Sequence, residues 1–283
     1  MNRVTQGIVA SLISSVGFAT LDSAGKALIE TMDITSMLAL RCVSVMAVIV
    51  ITLAFMGQLG QLATRAPGLT LLRSVLFGLT GVLVILALKH LPLADAIGLY
   101  FVSPVWTVLL GAPLLGERIT RMALVAALIG LAGAWLLIGP GSHGLDIWSL
   151  CALAGGITGA IQDIYARRLR GLTSPAGLLF WGMAAIIPMS LVVLEPDKAG
   201  LPRGHEIPLF SLNVAAAILA YFFAAQSFQK APARLIAPLR YLNLLWAVLL
   251  GWAIWGTVPG PLQTLGMALI VTAGILCVRE SRA

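Results

Sequence analysis

Ten apolar runs follow one another along the chain with few residues between them, over approximately 4–29, 34–57, 68–88, 93–114, 120–139, 145–169, 174–194, 210–230, 232–255 and 261–279. A bilayer crossing takes about 20 residues as a helix, so ten crossings consume about 200 residues and leave no room for a soluble domain. Hydrophobic residues make up 59% of the chain and charged ones 10%, too little polar surface to cover a water-soluble core. The fold class expected is therefore an all-α integral membrane protein of ten spans. The first run is too long and too poor in N-terminal charge for a cleaved signal peptide, and is expected to remain as the first helix.

The runs are not independent. Pro92 to Gly116, laid over Pro232 to Gly256 at a shift of 140, matches at Pro92/Pro232, Leu99/Leu239, Trp106/Trp246, Val108-Leu109-Leu110-Gly111 against Val248-Leu249-Leu250-Gly251, and Gly116/Gly256. At a shift of 141, Asp22 and Lys26 fall on Asp163 and Arg167. The chain thus reads as two copies of one unit, 1–141 and 142–283, each of five helices. An odd number of spans per copy turns the second copy over in the membrane.

Net charge is +7, and in a soluble protein that would suggest nucleic acid. Here the cations sort by connection. Arg3, Arg65, Arg118, Arg121, Arg167, Arg168, Arg170, Lys230, Arg234, Arg279 and Arg282 fall on one side, against Lys26, Lys89, Lys198 and Arg203 on the other. The excess marks a cytoplasmic face with both termini on it, and no nucleic-acid partner is expected. Cys42, Cys151 and Cys277 lie inside runs without CxxC or Cys/His spacing, so neither metal nor cofactor is expected.

Charge inside the spans is costly unless paired or wet, about 2.5–3.5 kcal/mol for a residue at mid-bilayer. Asp22 and Lys26 share a face of helix 1, and Arg41 sits at nearly the same depth in helix 2, so the three form a candidate outer cluster. Arg41 alternatively snorkels to the interface or ties helix 1 to helix 2. Asp163, Arg167 and Arg240 repeat the arrangement in the inner half. Small residues Ser11, Ser14, Ser15 and Gly17, and Gly155, Gly156 and Gly159, invite close helix packing. Gly130 and Gly133 do so either inside the bundle or at a dimer seam, leaving monomer and homodimer both open. Pro104 frees a backbone carbonyl and suits either a cavity wall or a packed kink. Tyr100, Trp106, Gln162, Trp181, Tyr221, Gln226, Tyr241 and Asn243 offer ring faces, hydroxyls and amides between the two charge groups. Each taken singly is equally suited to core or interfacial packing, but as a set they are candidates for lining a cavity.

The proline-initiated fourth helix, the Trp-x-Val-Leu-Leu-Gly run, the closing Leu-Leu-Gly-Glu and the Gly-rich fifth helix resemble the EamA-type drug/metabolite transporter superfamily over essentially the whole chain. General pattern and length are similar to its YddG-type bacterial amino-acid exporters. The resemblance implies a ten-helix basket with a central cavity between inverted repeats, alternating access, and the bacterial inner membrane. Glu117 has Thr257 as its counterpart, which speaks against a coupling acid common to both halves.

The function expected is export of small amphipathic metabolites, amino acids foremost, with another solute such as a flavin, nucleoside or drug as the alternative. Two other classes compete. A channel is less natural for a duplicated, inverted unit. An intramembrane enzyme would need catalytic groups at depth, yet His90, His143 and His205 fall in connections, Gly-x-Ser-x-Gly is absent and no span carries a carboxylate pair.

Overall fold

A computed structural model describes residues 2–91, 93–139, 146–193, 200–204, 206–256 and 258–280. Twelve α-helices account for nearly all of them: α1 (Arg3–Leu28), α2 (Ile34–Phe55), α3 (Pro67–His90), α4 (Leu93–Tyr100), α5 (Ser103–Leu115), α6 (Arg121–Ile138), α7 (Ile147–Arg168), α8 (Pro175–Val193), α9 (Glu206–Lys230), α10 (Ala233–Ile236), α11 (Leu242–Trp255) and α12 (Pro261–Glu280). Nine stretches among the described residues are long and apolar enough to cross a bilayer, and Pro175–Met189 is a shorter apolar tenth. α4 and α5 together make one of those nine, and α10 and α11 another. Among the described residues the sole β feature is an isolated bridge between Thr64 and Thr173.

Local chemistry sets the ends. Asp33, Thr120 and Asp146 accept the backbone N–H of Ser36, Ala123 and Ser149 and so cap α2, α6 and α7, while Pro67 and Pro175 begin α3 and α8, where a missing N–H costs nothing. Gly116 and Gly256, paired in the internal match, both end their helices in the left-handed region at φ +69° and +67°. A side chain at either would be strained, which explains why both copies carry glycine there. α9 begins at Glu206, four residues ahead of the expected start, because the Glu206 carboxylate accepts the Arg203 N–H at 2.7 Å and extends the helix back. His90 ends α3 instead of lying in a connection; its ring stacks on Trp148 at 3.5 Å and its Nδ1 bonds the Leu86 carbonyl. His143 and His205 fall outside the described residues.

The helices interlock across the two halves. α1 packs on α9 and α3 on α7, and these pairings exchange under the internal match; α6 packs on α12 and α2 on α8, which map onto themselves. Small residues make the approach possible. A Cβ on Gly17 would stand 2.7 Å from the Ala220 nitrogen, and the Ser14 hydroxyl donates to the Ala220 carbonyl at 2.8 Å. Gly133 and Gly266 lie with each one's Cβ position under 2.8 Å from the other's carbonyl oxygen. Gly130 receives the Tyr241 ring, so both glycines of the sixth helix are used within the bundle.

Candidate functional site

The fourth span of each half is broken at the same register. In the first, α4 stops at Tyr100 and α5 starts at Ser103; in the second, α10 is followed by a 3₁₀ turn, Pro238–Tyr241, before α11. Pro104 has no N–H to give the Tyr100 carbonyl four residues back. Gly156 of α7 lies against that oxygen, where a Cβ would stand 2.9 Å away. Interrupted helices at matching places in two halves leave backbone and side chains facing one interior. The break aims Tyr100 and its counterpart Arg240 at that interior.

Arg240 pairs with Asp163 of α7 and lies within electrostatic reach of Tyr100, with its guanidinium 6.0 Å from the Phe18 ring centre. Arg73 of α3 is a second cation within electrostatic reach of Asp163. Its Nη1 donates to the Leu178 carbonyl at 2.7 Å, and its guanidinium lies 4.9 Å from the Phe77 ring centre. The Asp163 carboxylate is therefore buried but neutralised.

Asp22 presents the opposite case. It lies beside Asn243 of α11 and within electrostatic reach of Arg41 of α2, while Tyr221 of α9 and Tyr100 of α4 sense its charge. With neighbours on four other helices it faces inward, yet more than a third of it is accessible. Accessible surface on a residue so surrounded marks open space between the helices, a chamber. Tyr221 forms one wall, held edge-on between Phe18 at 5.1 Å and Phe77 at 5.2 Å. Tyr100 and Tyr221 thus stand between the two charge groups, each within electrostatic reach of Asp22 and Arg240.

One end of the bundle is tied by polar contacts. Glu117, just past the α5 cap, accepts from Arg167 Nε at 3.3 Å and from the backbone N–H of Ala233 and Arg234 at 3.2 and 3.4 Å, closing the start of α10. Glu280 accepts from Thr120 and from Arg234 Nε. Hydroxyls of Thr64, Thr70 and Thr173 bond one another at 2.7–3.0 Å alongside. The other end carries an apolar cluster of Leu28, Met32 and Met37 with Leu209 and Phe210.

The candidate residues separate accordingly. Tyr100, Tyr221 and Asn243 come together with Asp22, Arg41, Asp163 and Arg240 around the chamber. Gln162 is buried beside Asp163 in sequence with its Oε1 lacking a protein partner, and Gln226 and Trp106 are half-buried on α9 and α5. Four placements differ from the expectation. Arg167 leaves Asp163 for Glu117, one turn further along α7, because the two carboxylates lie at different depths. Trp181 is 40% exposed, with its indole N–H on the Leu62 carbonyl at 2.9 Å, and so anchors the outside of the bundle. Tyr241 is fully buried; its hydroxyl donates to the Phe101 carbonyl and its ring fills the Gly130 notch, which makes it packing. Lys26 is exposed, and the cation facing Asp22 is Arg41. Arg73 and Phe18 were missed by sequence reasoning. An arginine in an otherwise apolar span was the available signal for the first, whereas nothing distinguished Phe18 from any core phenylalanine.

The model of the EamA-like transporter family matches residues 5–139 and again 146–279. The pseudopaline exporter CntI of Pseudomonas aeruginosa strain UCBPP-PA14 is 25% identical over 284 residues, covering 100% of this chain and 98% of its own. A riboflavin transporter of Rhizobium johnstonii is 27% identical over 231 residues, 81% of this chain and 76% of that one. An S-adenosylmethionine uptake transporter of Rickettsia felis is 24% identical over 238 residues, 83% and 80% of the two chains. A solved crystal structure at 21% identity superimposes with a TM-score of 0.84 over 98% of each chain, which shows a shared fold. With one family model matching twice along its length, and broken spans facing one polar interior, the chain belongs to the EamA-like transporter family.

Proposed function

We propose that the protein exports small amphipathic metabolites, amino acids foremost, across the bacterial inner membrane by alternating access between two inverted copies, 1–141 and 142–283. The observation that carries this reading is the chamber at the two broken spans, where charge of both signs and aromatic faces share one interior. A solute with a polar head and an apolar side chain matches such a wall, and a strongly anionic one would call for more unpaired cations. Orientation follows from the charge count: the end holding Glu117, Arg167, Arg234 and Glu280 is cytoplasmic. In this reading Asp163 with Arg240 forms a latch that opens and closes as the halves rock.

Counterflow into proteoliposomes tests it. Vesicles preloaded with a mixture of the common amino acids should accumulate labelled neutral amino acids saturably, and riboflavin in excess should leave that uptake intact. Uptake that rises linearly with concentration identifies a channel, and counterflow of riboflavin alone identifies the other solute class named above.

A further inference from the structure

The two carboxylates of the chamber are unequally supplied with cations. Asp163 has Arg240 as an ion-pair partner and Arg73 nearby. The position that answers to Arg240 in the other half is Tyr100, so Asp22 meets no guanidinium there. Asn243 lies beside it, and among the described residues the Asn243 Oδ1 is buried with no protein partner.

Arg41 is the complement. It lies about two turns, about 10 Å, along α2, and Asp22 lies about 9 Å before the facing end of α1, so the two share a depth. Among the described residues no hydrogen bond or ion pair to Arg41 is found, and its Nε is buried without a partner. Among the described residues, a guanidinium and a carboxylate stand in the same chamber with no ion pair between them. Neutralising a chamber that must empty and fill would have been simpler with a direct pair, as at Asp163. Buried polar groups without partners are destabilising, and a ligand that satisfies them recovers that cost.

We infer that Asp22 with Asn243 binds the ammonium group and Arg41 the carboxylate of a zwitterionic solute, with its side chain against the Phe18–Tyr221–Phe77 wall. The inference rests on the export reading above and narrows it to molecules carrying an ammonium and a carboxylate on one carbon. An ammonium offers three donors, and Asp22 Oδ atoms and Asn243 Oδ1 are acceptors on one face. A carboxylate suits the planar fork of Arg41.

Three probes separate the two halves of the site: L-phenylalanine, phenethylamine, which lacks the carboxylate, and 3-phenylpropionate, which lacks the ammonium. Binding is measured on the purified full chain by titration calorimetry. The wild type should bind L-phenylalanine at least about tenfold more tightly than either analogue, the effect of one charge-assisted contact. Asp22→Asn should weaken L-phenylalanine about tenfold and leave 3-phenylpropionate within about twofold; Arg41→Gln should weaken L-phenylalanine likewise and spare phenethylamine. Equal weakening of all three probes by either variant, or no weakening of L-phenylalanine, overturns the inference. So does a wild type that prefers neither zwitterion nor analogue while amino-acid counterflow persists. Absence of counterflow for every common amino acid instead overturns the export reading itself.

Discussion

Asp22 and Asp163 occupy matching places in the internal match, but among the described residues only Asp163 is held by a guanidinium. The divergence traces to two positions. Residue 240 is arginine where residue 100 is tyrosine, and residue 41 is arginine where residue 182 is glycine. Gly182 in turn makes room for Arg73, whose Nη1 stands 2.9 Å from where a Cβ would be. Duplication kept the backbone, including both broken fourth spans and both left-handed glycine caps, and the side chains then went separate ways. One carboxylate became part of a buried pair and the other stayed available.

That contrast predicts unlike responses to similar substitutions. Asp163→Ala leaves Arg240 buried and uncompensated, so it should lower stability by about 3–5 kcal/mol and abolish export while the protein still inserts; thermal unfolding in detergent and export assays read the two effects. Neutralising both partners, Asp163→Asn with Arg240→Gln, should recover much of the stability but not the transport. Normal transport by that double variant removes the latch. Gly130→Ala pushes on the Tyr241 ring, 2.3 Å from the new Cβ, and should cost about 1–3 kcal/mol. The same measurement with Tyr241→Phe, which loses only the bond to the Phe101 carbonyl, should cost about 1 kcal/mol and leave solute affinity unchanged, separating the packing role of residue 241 from the chamber role of residue 240.

Glu117→Gln weakens the ties to Arg167 and to the start of α10 at a partly exposed site, so stability should fall by no more than about 1 kcal/mol. Its larger effect should be on access: a cysteine placed at Ala233 should react faster with a membrane-impermeant maleimide from the side where Glu117 lies. Unchanged labelling would show that this end is sealed by packing, as the apolar cluster around Leu28 seals the other. The smallest stability change belongs to Asp22→Asn, which breaks no ion pair; it should stay within about 0.5 kcal/mol. A drop comparable with that of Asp163→Ala would erase the distinction between the halves.

Much of the fold was legible before any coordinates. The run of apolar helices and the pairing of Gly116 with Gly256 follow from apolar length and an internal match, because lipid leaves the backbone almost no alternative to helices. The helix starts were less so. Glu206 extends α9 through a local carboxylate contact that hydropathy does not register, and His90 closes α3 by stacking on Trp148 from another helix.

The site was legible as a set of residue types and not as an arrangement. Arg167 follows Asp163 by four residues, and spacing alone joins them; the structure separates them because Glu117 arrives from α5 at the depth of Arg167. Tyr241 and Asn243 looked alike as polar residues of one span, but one fills a notch made by Gly130 and the other reaches Asp22. Sequence by itself determined which groups had to be kept from lipid, since the cost of a bare charge in hydrocarbon depends only on residue and depth. Which of those groups met, and which were left open to a solute, was decided by tertiary structure, since a hydrogen bond acts over about 3 Å and its partners here come from helices far apart in the chain.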